Sequence, residues 1–266
     1  MSKSHIGTQA VVHKLVFELR YDFGYAYLDR AGTAINDILR NNPGWFQDAV
    51  NPQQGILRHR ETETIFTFNI GNLNLSQSQS ENIGDLLGID EFAAIAERFA
   101  DAVRKHLGLE QEDFTRIGFR IWQLFEQDSL AQAKRNVKEL GLVSLEKLNE
   151  VTGKDPDEVN CSFIVNRAEC STRIAVAPVE QAIAVDPATI RQAKQKPHMF
   201  REDQKQIMLD TLKAKHRVKR YPQFAILVDM DHYIIDPPYP KSLNISSDFL
   251  APNFKWSKET AVKLLD

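Results

Sequence analysis

The sequence predicts an α+β fold, with antiparallel sheets and helices packed on one face, and three observations carry that expectation. Phe224 to Ile235, FAILVDMDHYII, is an almost unbroken β-forming run. Its even positions Phe224, Ile226, Val228, Met230 and Ile234 share one apolar face, while Asp229, Asp231 and Tyr233 share the other, because side chains alternate along a strand. Near the start, VVHKLVFELRY sets Leu15, Phe17, Leu19 and Tyr21 against Lys14, Glu18 and Arg20, the period of a half-buried strand. Between them, Phe92, Ile95, Ala96, Phe99, Val103 and Leu107 fall on one helical stripe.

The remaining elements follow in order. After the first strand, Gly24 precedes a helical pattern through Leu28, Ala31, Ile35, Ile38 and Leu39, which the Asn41-Asn42-Pro43-Gly44 cluster stops. Ile56 to Arg60 with Thr64 to Ile70 reads as a hairpin, Asn72 to Leu75 as a short strand, and Ser76 to Asn82 (SQSQSEN) as a loop. Asp90 is placed as the N-cap of the best helix and Gly108 as its C′ residue. Thr115 to Phe125 is a second strong strand, and residues 10–127 then read as β, α, β, β, α, β, a ferredoxin-like unit.

A second α+β unit, 128–266, is expected to pack on the first, and the pattern leaves open whether it is a duplication. Ser129 and Ser144 start short helices, Cys161 to Asn166 and Thr172 to Val176 are strands, and Asp186-Pro187 is a helix start. Arg201 to about Lys215 is read as helical, and a final helix covers Ser257 to Leu265.

Composition bounds the function. The 266 residues, 42% hydrophobic and 26% charged, suit a globular protein with a sizeable core. No apolar run approaches a membrane span, and MSKSHIGTQ lacks the apolar stretch of an export signal. A cytoplasmic location is the expectation, with Cys161 and Cys170 as free buried thiols. The formal charge of −3 speaks against a protein that coats nucleic acid. It is unevenly spread, since ten Lys and Arg stand against three acids between Arg191 and Arg220.

Asp229 and Asp231 are the leading candidate site. Carboxylates at i and i+2 on a strand lie about 7 Å apart, and without a cation they repel by about 2 kcal/mol. A divalent metal would neutralise them, as in sheet-borne phosphoryl-transfer sites. Arg116 and Arg120 are the structural ion-pair alternative: they share a face of their strand, with Gly118 between them leaving room. His232 points to the apolar face and reads as a core histidine, as does His13. No GxSxG, GxxxxGK[ST] or GxGxxG pattern is present. Lys213, Lys215, Arg217, Lys219 and Arg220 form a candidate nucleic-acid contact. The loop Pro237 to Lys241 is expected to be stiff and exposed, with Tyr239 at its tip.

The segments VFELRY (16–21), RIGFRIW (116–122) and ILVDMDHY (226–233), with the terminal SKETAVKLL (257–265), resemble a sporadically distributed, uncharacterised bacterial family of similar length. The resemblance implies no assigned activity and no catalytic residue; its patchy distribution points to mobile elements or anti-phage defence. The leading expectation is therefore a non-enzymatic binding or sensor protein, without a cofactor, that engages another protein. The alternatives are a metal-dependent nucleotide or phosphoester enzyme using Asp229 and Asp231, and a nucleic-acid binder using residues 191–220.

Overall fold

The computed structural model describes residues 10–22, 24–79, 86–181 and 222–266. In chain order these form β1 (Ala10–Tyr21), α1 (Tyr27–Asn41), β2 (Trp45–Val50), β3 (Gly55–His59), β4 (Ile65–Phe68), β5 (Asn72–Ser78) and α2 (Ile89–Leu107). The second half adds β6 (Phe114–Gln127), α3 (Leu130–Glu139), α4 (Leu145–Thr152), β7 (Cys161–Asn166), β8 (Ser171–Glu180), β9 (Phe224–Ile235) and α5 (Ala251–Leu265). A π-helical turn, Ile245–Leu250, leads into α5. The expected helices at Asp186-Pro187 and from Arg201, and the basic residues Lys213, Lys215, Arg217, Lys219 and Arg220, lie outside the described residues.

The strands make one nine-stranded sheet in the order β2-β3-β4-β5-β1-β6-β9-β8-β7. Every neighbouring pair is antiparallel. The fold is α+β, as the periodicities predict. The sheet runs without a break through both expected units, because β6 pairs with β9 from Arg116 opposite Ile235 to Gln127 opposite Phe224.

Alternation decides which face is buried. Leu15, Phe17 and Leu19 of β1, Ile117, Phe119 and Ile121 of β6, and Ile226, Val228 and Met230 of β9 are all essentially inaccessible. They share one core with the α2 stripe, whose Phe99 packs edge-on against Trp45 and Phe66 at centroid distances of 4.7 and 4.9 Å. Full burial of such a ring contributes roughly 2–3 kcal/mol, so the covered face anchors the sheet. The opposite residues of the central strands, including Lys14, Glu18, Arg116, Arg120 and Asp231, remain partly accessible.

Several local expectations change. The strand Trp45–Val50 adds a hairpin with β3 at the sheet's edge; its accessibility does not alternate and its register shifts between Gln47 and Ala49, so its sequence carries no clean period. Ser76-Gln77-Ser78 continues β5 rather than opening a loop. Gln77 is buried, accepting from the Leu87 amide and donating to the Thr62 carbonyl, which is how a polar strand end reaches the core. Gly88, not Asp90, is the N-cap of α2; Asp90 sits in its first turn, where a carboxylate favours the helix dipole. Gly108 at φ 71° ends the helix as predicted. Leu28 is exposed, and Tyr27 takes the inward position instead.

Candidate functional site

β9 is held on both sides, by β6 and β8, so its two carboxylates stand in the middle of a sheet face. Arg120 is the cross-strand neighbour of Asp231, yet its guanidinium reaches the diagonal Asp229, Nε to Oδ1 at 2.8 Å and Nη2 to Oδ2 at 2.5 Å. Arg116 lies along the strand over Gly118 and donates through Nη2 to both oxygens of Asp231 at 3.0 Å, and through Nη1 to Glu18 at 2.7 Å. Each carboxylate thus has both oxygens engaged by one arginine, Asp229 by the diagonal guanidinium fork of Arg120 and Asp231 by the single Nη2 of Arg116. The Asp229 hydrogen bond raises the Arg120 pKa above its ordinary value. Each guanidinium also lies 5.2 Å from a ring centroid, Arg116 at Tyr233 and Arg120 at Trp122.

Gly118 is the hinge of this arrangement. A Cβ there would stand 2.5 Å from Arg116 Nη1 and 3.0 Å from its Cζ. The absent side chain is the space in which Arg116 lies.

The pair forms part of a wider feature. A trough of about 440 Å³ on this face is lined by Lys14, Arg20, Arg116, Arg120 and Arg173 against the carboxylates of Glu18 and Asp231, with Val16, Gly118, Asn74 and Ser76 completing it. Lys14 Nζ sits 4.8 Å from the Trp122 ring centre. Arg20 bonds Glu18 at 2.7 Å with half of its side chain exposed. Arg173, opposite Asp231 on β8, is exposed and makes no hydrogen bond or ion pair among the described residues. Arg120 spends Nε and Nη2 on Asp229, which leaves Nη1 as a donor toward the trough. Arginines braced by carboxylates and rings, with donors to spare, are suited to holding an anion.

His232 faces the other way and is fully buried. Ser257 Oγ donates to the Asn253 carbonyl at 2.8 Å and so is free to accept from His232 Nε2 at 2.6 Å, while Thr172 Oγ1 donates to Nδ1 at 2.8 Å. Burial, then the charge of Arg167, pushes the His232 pKa down to about 3. The ring lies between Phe119 and Trp256, and Arg167 stacks on Trp256 at 4.2 Å while donating to Cys170, Thr172 and Asn253. This neutral, doubly bonded imidazole docks α5 onto β8 and β9. Its ring is inaccessible to solvent.

Other candidates resolve as structural. Tyr239 is buried rather than at an exposed tip: its ring packs on Phe114 at 5.0 Å and its hydroxyl donates to Asp101 at 2.9 Å. The loop folds back because a large ring finds apolar cover there, and burial raises the phenol pKa. His13 sits at a β-bulge between Val12 and Lys14 and stacks on Trp122 at 6.0 Å, instead of pointing inward. Cys161 and Cys170 are free and buried.

The sequence patterns single out Asp229, Asp231, Arg116 and Arg120, and the fold brings these four together. Lys14, Arg20, Asn74, Ser76 and Arg173 join them from three other strands, a convergence that only the strand order reveals. Among the described residues no group of three or more His, Cys, Asp or Glu is placed to hold a metal, and no helix is long and apolar enough to cross a membrane. No family model, curated protein or solved structure matches this chain.

Proposed function

We propose that the protein is a non-enzymatic binding protein whose ligand is an anion held on the sheet face that carries Asp229 and Asp231. The observation that carries this reading is the trough, where five cationic side chains meet two carboxylates. Two of the arginines are fixed in place before any ligand arrives, so little side-chain entropy is lost on binding. The absence of a role in catalysis is supported by the engagement of both aspartates, whose oxygens Arg116 and Arg120 already occupy. It is supported too by the burial of His232 with its partner Ser257.

Inorganic tripolyphosphate is the simplest probe. In calorimetric titration the wild type binds it, K14E/R173E loses at least about tenfold in affinity, and K255E/K263E, which alters exposed lysines on α5, binds as the wild type does. Equal affinity in all three proteins, or none in the wild type, would remove the proposal.

A further inference from the structure

We infer that the anion taken by the trough is the sugar-phosphate backbone of a single-stranded nucleic acid, bound without regard to base sequence. This rests on the trough being an anion site and adds what kind of anion it takes.

The first argument is extent. Lys14 and Arg20 stand at opposite ends of one strand segment, about 20 Å apart at the rise of a β-strand. Arg173 belongs to β8, three strands from β1, a further offset of about 14 Å at ordinary strand spacing. No single phosphate or carboxylate touches all three, whereas consecutive charges on one chain do. The second is the choice of cation. Arg20, Arg116, Arg120 and Arg173 outnumber the one lysine, and guanidinium forks present paired N–H groups to phosphate oxygens. The third is the wall: Asn74 and Ser76 on β5 place neutral donors and acceptors beside the cations, which suits sugar hydroxyls and ester oxygens more than a row of carboxylates.

Base sequence is not read. The two aromatic rings among the cations, Trp122 and Tyr233, are occupied by Arg120, Lys14 and Arg116, so they brace guanidinium groups rather than offer a surface for bases. Affinity then comes from charge and falls steeply with salt. Its residues are not those of the segment 191–220, and the substitutions below leave that segment unchanged.

The experiment is fluorescence anisotropy of short labelled oligo(dT) and oligo(U) with the full chain. With about three phosphates neutralised, affinity drops about 20-fold between roughly 50 and 200 mM salt. K14E/R173E loses at least about tenfold at the lower salt, and K255E/K263E does not. If tripolyphosphate binding depends on Lys14 and Arg173 but oligonucleotide binding is absent or equal in both variants, the nucleic-acid inference falls and the anion site stands. If neither probe responds to Lys14 and Arg173, both fall. Tighter binding of poly-glutamate than of oligonucleotide at equal salt assigns the trough to an acidic protein segment and overturns the inference, as does better competition by duplex than by single strand.

Discussion

Changing Gly118 to Ala in two backgrounds tests the architecture of the ion-pair face through a reversal of sign. Gly118 does not have a left-handed φ, so alanine fits its backbone, and in a strand it is favoured over glycine by about 0.5–1 kcal/mol. In the wild type that gain is opposed by Arg116, whose guanidinium supplies the three atoms nearest the new Cβ, the closest at 2.5 Å. Ordinary contact requires Nη1 to retreat by about 1 Å, a displacement that breaks its 2.7 Å bond to Glu18 and strains its 3.0 Å bonds to Asp231. Arg116 is only 16% exposed and its partners about a fifth, so solvent replaces the lost charge-assisted bonds incompletely, at a loss of about 2 kcal/mol. The balance is a destabilisation of about 1 kcal/mol. In an Arg116→Ala background the obstruction is gone, and the same substitution stabilises by about 0.5 kcal/mol. Urea unfolding of the four proteins, read as midpoints at constant slope, measures this. A change of equal sign and size in both backgrounds would show that Arg116 does not lie over Gly118.

Three further outcomes are expected. His232 is held neutral with a pKa of about 3 against an ordinary 6.5, so the unfolded chain binds the extra proton, and stability is lost as pH falls from 6.5 toward 3; at pH 5 the loss is about 2 kcal/mol. Comparing wild type with H232N by urea unfolding at pH 7 and pH 5 isolates it, and parallel pH slopes would refute it. The Arg120–Asp229 pair, with Arg120 38% and Asp229 10% exposed, couples by about 1–2 kcal/mol after allowance for screening, measurable in an R120A/D229N cycle; additive effects would contradict the geometry. Millimolar Mg²⁺ or Mn²⁺ leaves the melting temperature unchanged, because arginines already neutralise the two carboxylates; a rise abolished in D229N/D231N would restore the metal-dependent reading.

What the sequence made legible follows from the range of the interactions involved. β9 and its acidic face are visible because strand alternation is a local property of FAILVDMDHYII. The pairing of Arg116 and Arg120 with the aspartates was within reach because like charges two apart require a counter-charge, and Gly118 marks the space for one. Trp45–Val50 was not legible, since an edge strand with both faces partly wet has no period to detect. The burial of Tyr239 was hidden as well, because it depends on Phe114 and Asp101, more than a hundred residues away in the chain. The trough was the least accessible of all: Lys14, Ser76, Arg120 and Arg173 are adjacent only once β5, β1, β6, β9 and β8 have taken their order.

β9 ties these features into one design. A single strand carries His232 downward into a buried hydrogen-bond network that fixes α5, and Asp229 and Asp231 upward into a charged network that fixes two arginines. The two networks have opposite requirements. The lower one is stable only while His232 stays unprotonated, beside the half-buried Arg167. The upper one tolerates water and leaves Arg173 and one edge of Arg120 without partners among the described residues. Rigidity below and spare positive charge above are what a docking surface for a polyanion requires, since the strand whose aspartates hold Arg116 and Arg120 cannot shift register without breaking the histidine's bonds to Thr172 and Ser257. Loss of either histidine partner should therefore loosen the trough as well as the core, so T172V or S257A is expected to weaken tripolyphosphate binding while leaving every trough side chain in place. Unchanged affinity in those variants, measured by the same calorimetric titration while they remain folded, would separate the two faces and show that the cations are held by their own carboxylates alone.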